Sequence, residues 1–215
     1  CLSLSFELPL GESFWDTYIY IDGAYRLSLG QEIYKDFHAP VGALNYILFD
    51  LLSSLFPQGN VVLVIQWCMM LVTLPVMAVI CHHALQRGVG AAFALLLPYL
   101  MFSILPFNIE SWNAFPGVDG FGYYNRHAAV LLYLLVATLF FVRSQVALVG
   151  LISALLLTLA FVKINGFAVA GLILAVALAT RRISLATSAI VAIVCLSVVV
   201  CIELFTGSVS AYLAS

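Results

Sequence analysis

The groups able to do chemistry in this chain crowd into two polar stretches, residues 1–40 and 108–127, with one outlying lysine, Lys163. Seven of the ten carboxylates (Glu7, Glu12, Asp16, Asp22, Glu32, Asp36 and Asp50) fall in the first fifty residues. A carboxylate at the edge of a low-dielectric body can acquire a pKa suited to taking a proton. Asp16 and Asp22 lead as such bases, with Asp36 and Asp119 behind them. Each also has a plain structural reading. Asp16 would cap a short helix over Thr17–Leu29 that Gly30 closes, and spacing alone leaves cap and base open. Asp22 would pair with Arg26 at i,i+4, the better reading for that residue. Asp36 beside Lys35 would form a solvated loop pair. Lys35, His38, Arg126, His127 and Lys163 supply the cations and proton donors that an anionic headgroup such as a phosphate needs, though each alone fits a side chain snorkelling at an interface. Lys163 carries more weight, because it lies between two apolar runs and charge at such depth is usually functional.

Other chemistries find no support. His82 and His83 are adjacent and diverge on a helix, whereas a metal pair wants i,i+4 spacing. GxSxG, P-loop, HExxH and dinucleotide-binding patterns are missing. Cys68, Cys81, Cys195 and Cys201 fall inside apolar stretches without paired spacing and read as small core residues. The sequence has no basic cluster of the kind that binds nucleic acid.

The elements that must hold these groups are hydrophobic. Of 215 residues, 64% are hydrophobic and 8% charged, against about a quarter charged in soluble domains. No Asp, Glu, Lys or Arg occurs from Leu51 to Gln86, ample for a crossing that needs about 20 apolar residues. The composition excludes a soluble globular domain and implies an all-α, polytopic transmembrane bundle. It divides into a structured surface loop with a juxtamembrane helix, 1–40, and a helical body, 41–215. Trp15, Tyr18, Tyr20, Tyr25 and Tyr34 are the aromatics expected at headgroup level. Apolar runs follow at 41–56, 60–82, 89–107, 128–142, 146–162, 164–180 and 183–205, with a turn at Pro57–Asn60. Arg87, Arg143 and Arg181–Arg182 are separated by two runs each, which puts them on one side, the cytoplasmic one by the positive-inside rule. The 41–56 run is short and carries Asn45, Asp50, Ser53 and Ser54. Read as a short or re-entrant helix, it brings both polar stretches to the outer face. The chain opens at Cys1 with no hydrophobic helix ahead of its polar region, which reads as a fragment of a longer polypeptide.

Two passages carry a resemblance. Trp15-Asp16-Thr17-Tyr18, followed by Gly30-Gln31-Glu32-Ile33-Tyr34-Lys35-Asp36-Phe37-His38-Ala39-Pro40, resembles the first outer loop of GT-C glycosyltransferases. The nearest group is the bacterial branch related to protein mannosyltransferases and aminoarabinose transferases. Phe161-Val162-Lys163-Ile164-Asn165-Gly166 is similar to that family's break between two helices, and Tyr124-Asn125-Arg126-His127 opens a helix where relatives place polar groups. The resemblance implies a partial GT-C module in a multi-pass cell (inner) membrane protein. Such a protein moves a sugar from a polyprenyl-phosphate donor to a glycan, lipid or protein acceptor at the outer face. Asp16 matches the loop aspartate that acts on the acceptor, and Lys35, Asp36, His38, Arg126, His127 and Lys163 fall where donor phosphate and substrate would be held. Thr17 stands where the family has a second acid, so a second catalytic carboxylate would have to be Asp119 or Glu110. No resident cofactor is implied, and a divalent metal is left open. The rival reading is a transporter or flippase for a lipid-linked or small polar substrate, since such proteins also use broken helices and buried ionisable groups.

Overall fold

The structure, a computed structural model, describes residues 14–105 and 122–214. Glu110 and Asp119 lie outside the described residues. Ten helices and no strand occur among those described. Helix α1 (Trp15–Ser28) is followed by a tight loop and then α2 (Ala43–Leu55). At 13 residues, α2 is about 20 Å long, well short of a hydrocarbon core. The 41–56 run is thus a short helix packed against α1, as its polar residues required.

The 60–82 run does not form one straight rod. It divides at Met69 into α3 (Val61–Cys68) and α4 (Met70–Leu85), bent by 45°. Asn60 starts α3 by accepting from the N–H groups of Val62 and Leu63, after the expected turn in which Gly59 bonds back to Phe56. Next come α5 (Val89–Ile104), α6 (Tyr123–Phe141), α7 (Gln145–Val162), α8 (Ile164–Ala179), α9 (Leu185–Thr206) and α10 (Ser208–Ala214). Ser144 and Ser184 cap α7 and α9 through the N–H groups of Ala147 and Thr187. Three helices, α6, α7 and α9, are long and apolar enough to cross a membrane, or four if α3 and α4 form one bent span.

The core is built on α6 and α7. Leu148, Ile152, Leu155, Leu159 and Val162 recur at alternating steps of four and three, so they form one buried stripe on α7. Leu131, Leu134, Leu135 and Thr138 of α6 are fully buried as well. On α9 the pattern inverts. Only Thr187 and Val191 are buried, while Leu185, Ile193, Leu196, Leu204 and Phe205 are exposed. An outer surface of this kind is unfavourable in water and suited to hydrocarbon.

The up-and-down path of α6 to α9 gives the bundle two unlike ends. At one, Arg87 donates to the Phe140 carbonyl at 2.7 Å, and Arg182 donates to the carbonyls of Leu139 and Val142. The arginines that composition groups on one side do meet around the C-terminus of α6. At the other end lie α1, the start of α6 and the α7–α8 break.

Candidate functional site

Helix α1 begins two residues earlier than the sequence suggests, with Phe14 at its N-cap, so Asp16 is not the cap. It sits inside the first turn, where a carboxylate favours the helix dipole, and its side chain turns inward to 3% exposure. There its Oδ2 accepts the N–H of Gly122 at 2.5 Å, across 106 residues of sequence. Gly122 makes this contact from a left-handed conformation, φ 73°, at the entry to α6. An L side chain adopts that conformation only at a cost. One residue on, Tyr123 lies fully buried with its hydroxyl 3.4 Å from Thr17 Oγ1. The two polar stretches therefore do meet, through Asp16–Gly122 and Thr17–Tyr123.

The α7–α8 break forms the other half of this end. A single extended residue, Lys163 (φ −161°, ψ 114°), separates the two helices. Its ammonium donates to Asn125 Oδ1 and lies 4.8 Å from the centre of the Tyr124 ring. Arg126 stacks over Tyr123 at 4.6 Å. Lys163, Asn125, Arg126 and Asp16 thus all gather near the first turn of α6, and two of these cations rest on aromatic faces.

What joins the halves was not among the expected site residues. Asn45, fully buried on α2, donates from Nδ2 to the carbonyls of Gly42 (3.1 Å) and Val162 (3.0 Å). Its Oδ1 accepts the Tyr20 hydroxyl at 3.1 Å and faces His127 Nδ1 at 3.4 Å. Beyond the imidazole, Nε2 lies 3.4 Å from the Gln66 carbonyl, and the Gln66 amide donates to the Phe102 and Ser103 carbonyls at the end of α5. Burial above all, then neighbouring Cys68, pushes the Tyr20 hydroxyl well above its ordinary pKa, so it stays a donor. Gly42 completes the joint. Its N–H bonds Val162 O at 3.1 Å, and a Cβ there would lie 2.0 Å from the Phe161 carbonyl oxygen. Only glycine permits so close an approach.

The remaining expected residues stand apart. Asp22 pairs with Arg26 at 2.8 Å on the exposed face of α1, the structural role its spacing allowed. Lys35 pairs with Glu32 at 2.6 Å rather than with Asp36. The Asp36 carboxylate instead accepts the Glu32 N–H at 2.7 Å and closes the loop after α1. That loop is held by Tyr34, which donates to Val41 O at 2.8 Å and packs on Tyr212 with ring centres 4.9 Å apart. His38 is exposed, and Asp50 is half-buried on α2. Among the described residues no three His, Cys, Asp or Glu side chains converge on a metal position. The aromatics also divide: Trp15, Tyr18 and Tyr25 are exposed as interfacial residues would be, but Tyr20 is wholly buried and serves the Asn45 joint. A polar amide inside the apolar 41–56 run, and a tyrosine one helical turn after Asp16, were the signals that could have found this pair.

No family model, no curated protein and no solved structure matches this chain.

Proposed function

We propose that this chain is the catalytic-loop part of a multi-pass membrane glycosyltransferase of the GT-C kind. It would act on a polyprenyl-phosphate-linked sugar at the non-cytoplasmic face. The observation that carries the reading is the buried Asp16 carboxylate docked on Gly122, at the same end of the bundle as Arg126 and Lys163 and opposite the arginine-rich end. The reaction balances simply. The acceptor hydroxyl oxygen attacks the anomeric carbon as the bond from that carbon to the phosphate oxygen breaks, with inversion. Asp16 takes the hydroxyl proton, with its Oδ2 oriented by the Gly122 N–H. The departing polyprenyl phosphate keeps the bonding pair, and its growing charge is met by Lys163 and Arg126. Cations aimed at developing charge supply several kcal/mol in sites of this type. The apolar flanks of the bundle suit lateral entry of the isoprenoid tail.

The test is transfer of radiolabelled sugar from a polyprenyl-phosphate donor by the intact protein, compared with Asp16→Asn. Asn keeps the acceptor for Gly122 but cannot take the proton, so transfer should fall by about 10²-fold or more. Unchanged transfer in the variant would remove Asp16 from the mechanism. A second reading, a transporter or flippase, is favoured by the bent α3–α4 pair and the one-residue break at Lys163, since such proteins use interrupted helices around a substrate. Substrate movement across vesicles without transfer would select it.

A further inference from the structure

The end of the bundle away from Asp16 carries four arginines, and among the described residues no carboxylate pairs with them. Arg87, Arg143, Arg181 and Arg182 converge there through the bonds from Arg87 and Arg182 to the last carbonyls of α6. The sequence contains no Asp or Glu from Leu51 to Ile109 or from Gly120 to Ile202, two stretches that include the described segments meeting at this end. Gln145 at the start of α7 accepts from Thr187 at the start of α9, so two helix N-termini add their partial positive charge beside the arginines.

Arg87 and Arg182 have structural work, since they satisfy carbonyls that the end of α6 leaves open. Arg143 and Arg181 are exposed. Arg181 is the telling residue. It occupies the left-handed position that ends α8, φ 56°, with its N–H on Leu178 O and the Arg182 N–H on Ala177 O. Glycine or asparagine is the ordinary occupant of that position, because a long L side chain is strained there. The chain tolerates strain at a site where the side chain fills no core, so the guanidinium itself is the useful group. Arg143, next to the Val142 carbonyl that Arg182 holds, projects from the same rim.

We infer that this arginine rim is a docking surface for the phosphodiester headgroups of anionic phospholipids. Guanidinium forks match phosphate oxygens in geometry as well as charge. The exposed apolar sides of α8 and α9 would lie along the acyl chains of the same lipids. This inference rests on the bilayer reading proposed above, and is independent of the transferase chemistry.

The experiment reconstitutes the intact protein into vesicles of phosphatidylcholine alone or with phosphatidylglycerol. Native mass spectrometry of protein released from the mixed vesicles then reports which lipids stay bound. Wild type should retain phosphatidylglycerol in preference to phosphatidylcholine. The pair Arg143→Gln and Arg181→Asn should lower that preference by about tenfold or more while melting at the same temperature or higher in pure phosphatidylcholine, because Asn suits the left-handed position. Arg26→Gln, at the opposite end, should leave it unchanged. Insertion without a lipid preference, or a preference untouched by the double substitution, overturns the inference and leaves the bilayer reading standing. Failure to insert into either vesicle overturns both.

Discussion

Replacing Asn45 by leucine tests whether one buried amide joins the two halves of the polar end. Leucine has the branched shape and the side-chain heavy-atom count of asparagine and keeps the helix, so the loss is mainly polar. Three side-chain hydrogen bonds disappear, to Gly42 O, to Val162 O and from the Tyr20 hydroxyl, together with the longer 3.4 Å contact to His127 Nδ1, which is left out of the sum. At about 1 kcal/mol each, these sum to about 3 kcal/mol. The two carbonyls are not orphaned, because the Asn45 N–H still reaches Gly42 O and the Gly42 N–H still reaches Val162 O. The Tyr20 hydroxyl, at zero exposure, loses its acceptor and adds about 1–3 kcal/mol of uncompensated burial. Leucine returns about 1 kcal/mol through better apolar packing. The net expectation is a destabilisation of about 3–5 kcal/mol, read from denaturant unfolding of the intact protein in micelles by intrinsic fluorescence. Tyr20→Phe alone should cost about 1 kcal/mol. Added to Asn45→Leu it should instead recover about 1–3 kcal/mol, because it removes the orphaned hydroxyl, giving a strong coupling energy. A destabilisation below about 1 kcal/mol, or simple additivity of the two changes, would refute the joint.

Two further outcomes follow from the same end of the molecule. Gly42→Ala should destabilise by about 3 kcal/mol or more, at the upper end of overpacking effects, because the new methyl meets backbone at 2.0 Å rather than a movable side chain; a melting temperature within a degree or two of wild type would contradict this. The Tyr34 contribution to stability should be constant below roughly pH 10 and fall above it, because burial first, and the neighbouring Tyr212 second, raise the Tyr34 hydroxyl above the ordinary tyrosine value. Above that pH the unfolded chain releases a proton that the folded chain keeps, so the folded state loses ground; the decline should be shallower in Tyr34→Phe, measured by unfolding across a pH series.

Much of this architecture was legible because hydrophobic runs and charge gaps are long-range, additive signals. The arginines at 87, 143 and 181–182 are spaced by two runs each, and they do come together around α6. The break at Lys163 was legible for the same reason, since a charge between two apolar runs has to be accommodated where the helices part. The break at Met69 was not read from the sequence, although Gln66 three residues before it and Pro75 six residues after it are the positions of the run least suited to a straight apolar span. Nor was the position of Asp16. A carboxylate before a helix reads as a cap, and only the tertiary contact with Gly122, 106 residues away, decides that the side chain turns inward. The Asn45 joint was hidden for a related reason. Its partners are mostly backbone carbonyls and one tyrosine, and backbone acceptors leave no mark in a sequence.

The placement of charge against neutral polarity bears on what the polar end can do. The deeper layer, Tyr20, Asn45, His127 and Gln66, is held by amide, phenol and imidazole groups and by backbone carbonyls, which carry no net charge when neutral. Such a layer can fix geometry rigidly without the heavy desolvation cost of buried ions. The ionisable candidates Asp16, Arg126 and Lys163 stand beside it, on the first turns of α1 and α6 and at the α7–α8 break, with Asp16 itself buried against Gly122. A carrier that moves a polar substrate through the bundle needs its charged or coordinating groups near mid-span and a layer able to open. A surface catalyst needs the reverse, a stiff neutral floor beneath charges held at the rim. The tie from Asn45 to Val162, which locks the floor to the break itself, fits the second requirement. It is the physical ground on which the transferase proposal is placed ahead of the transport one.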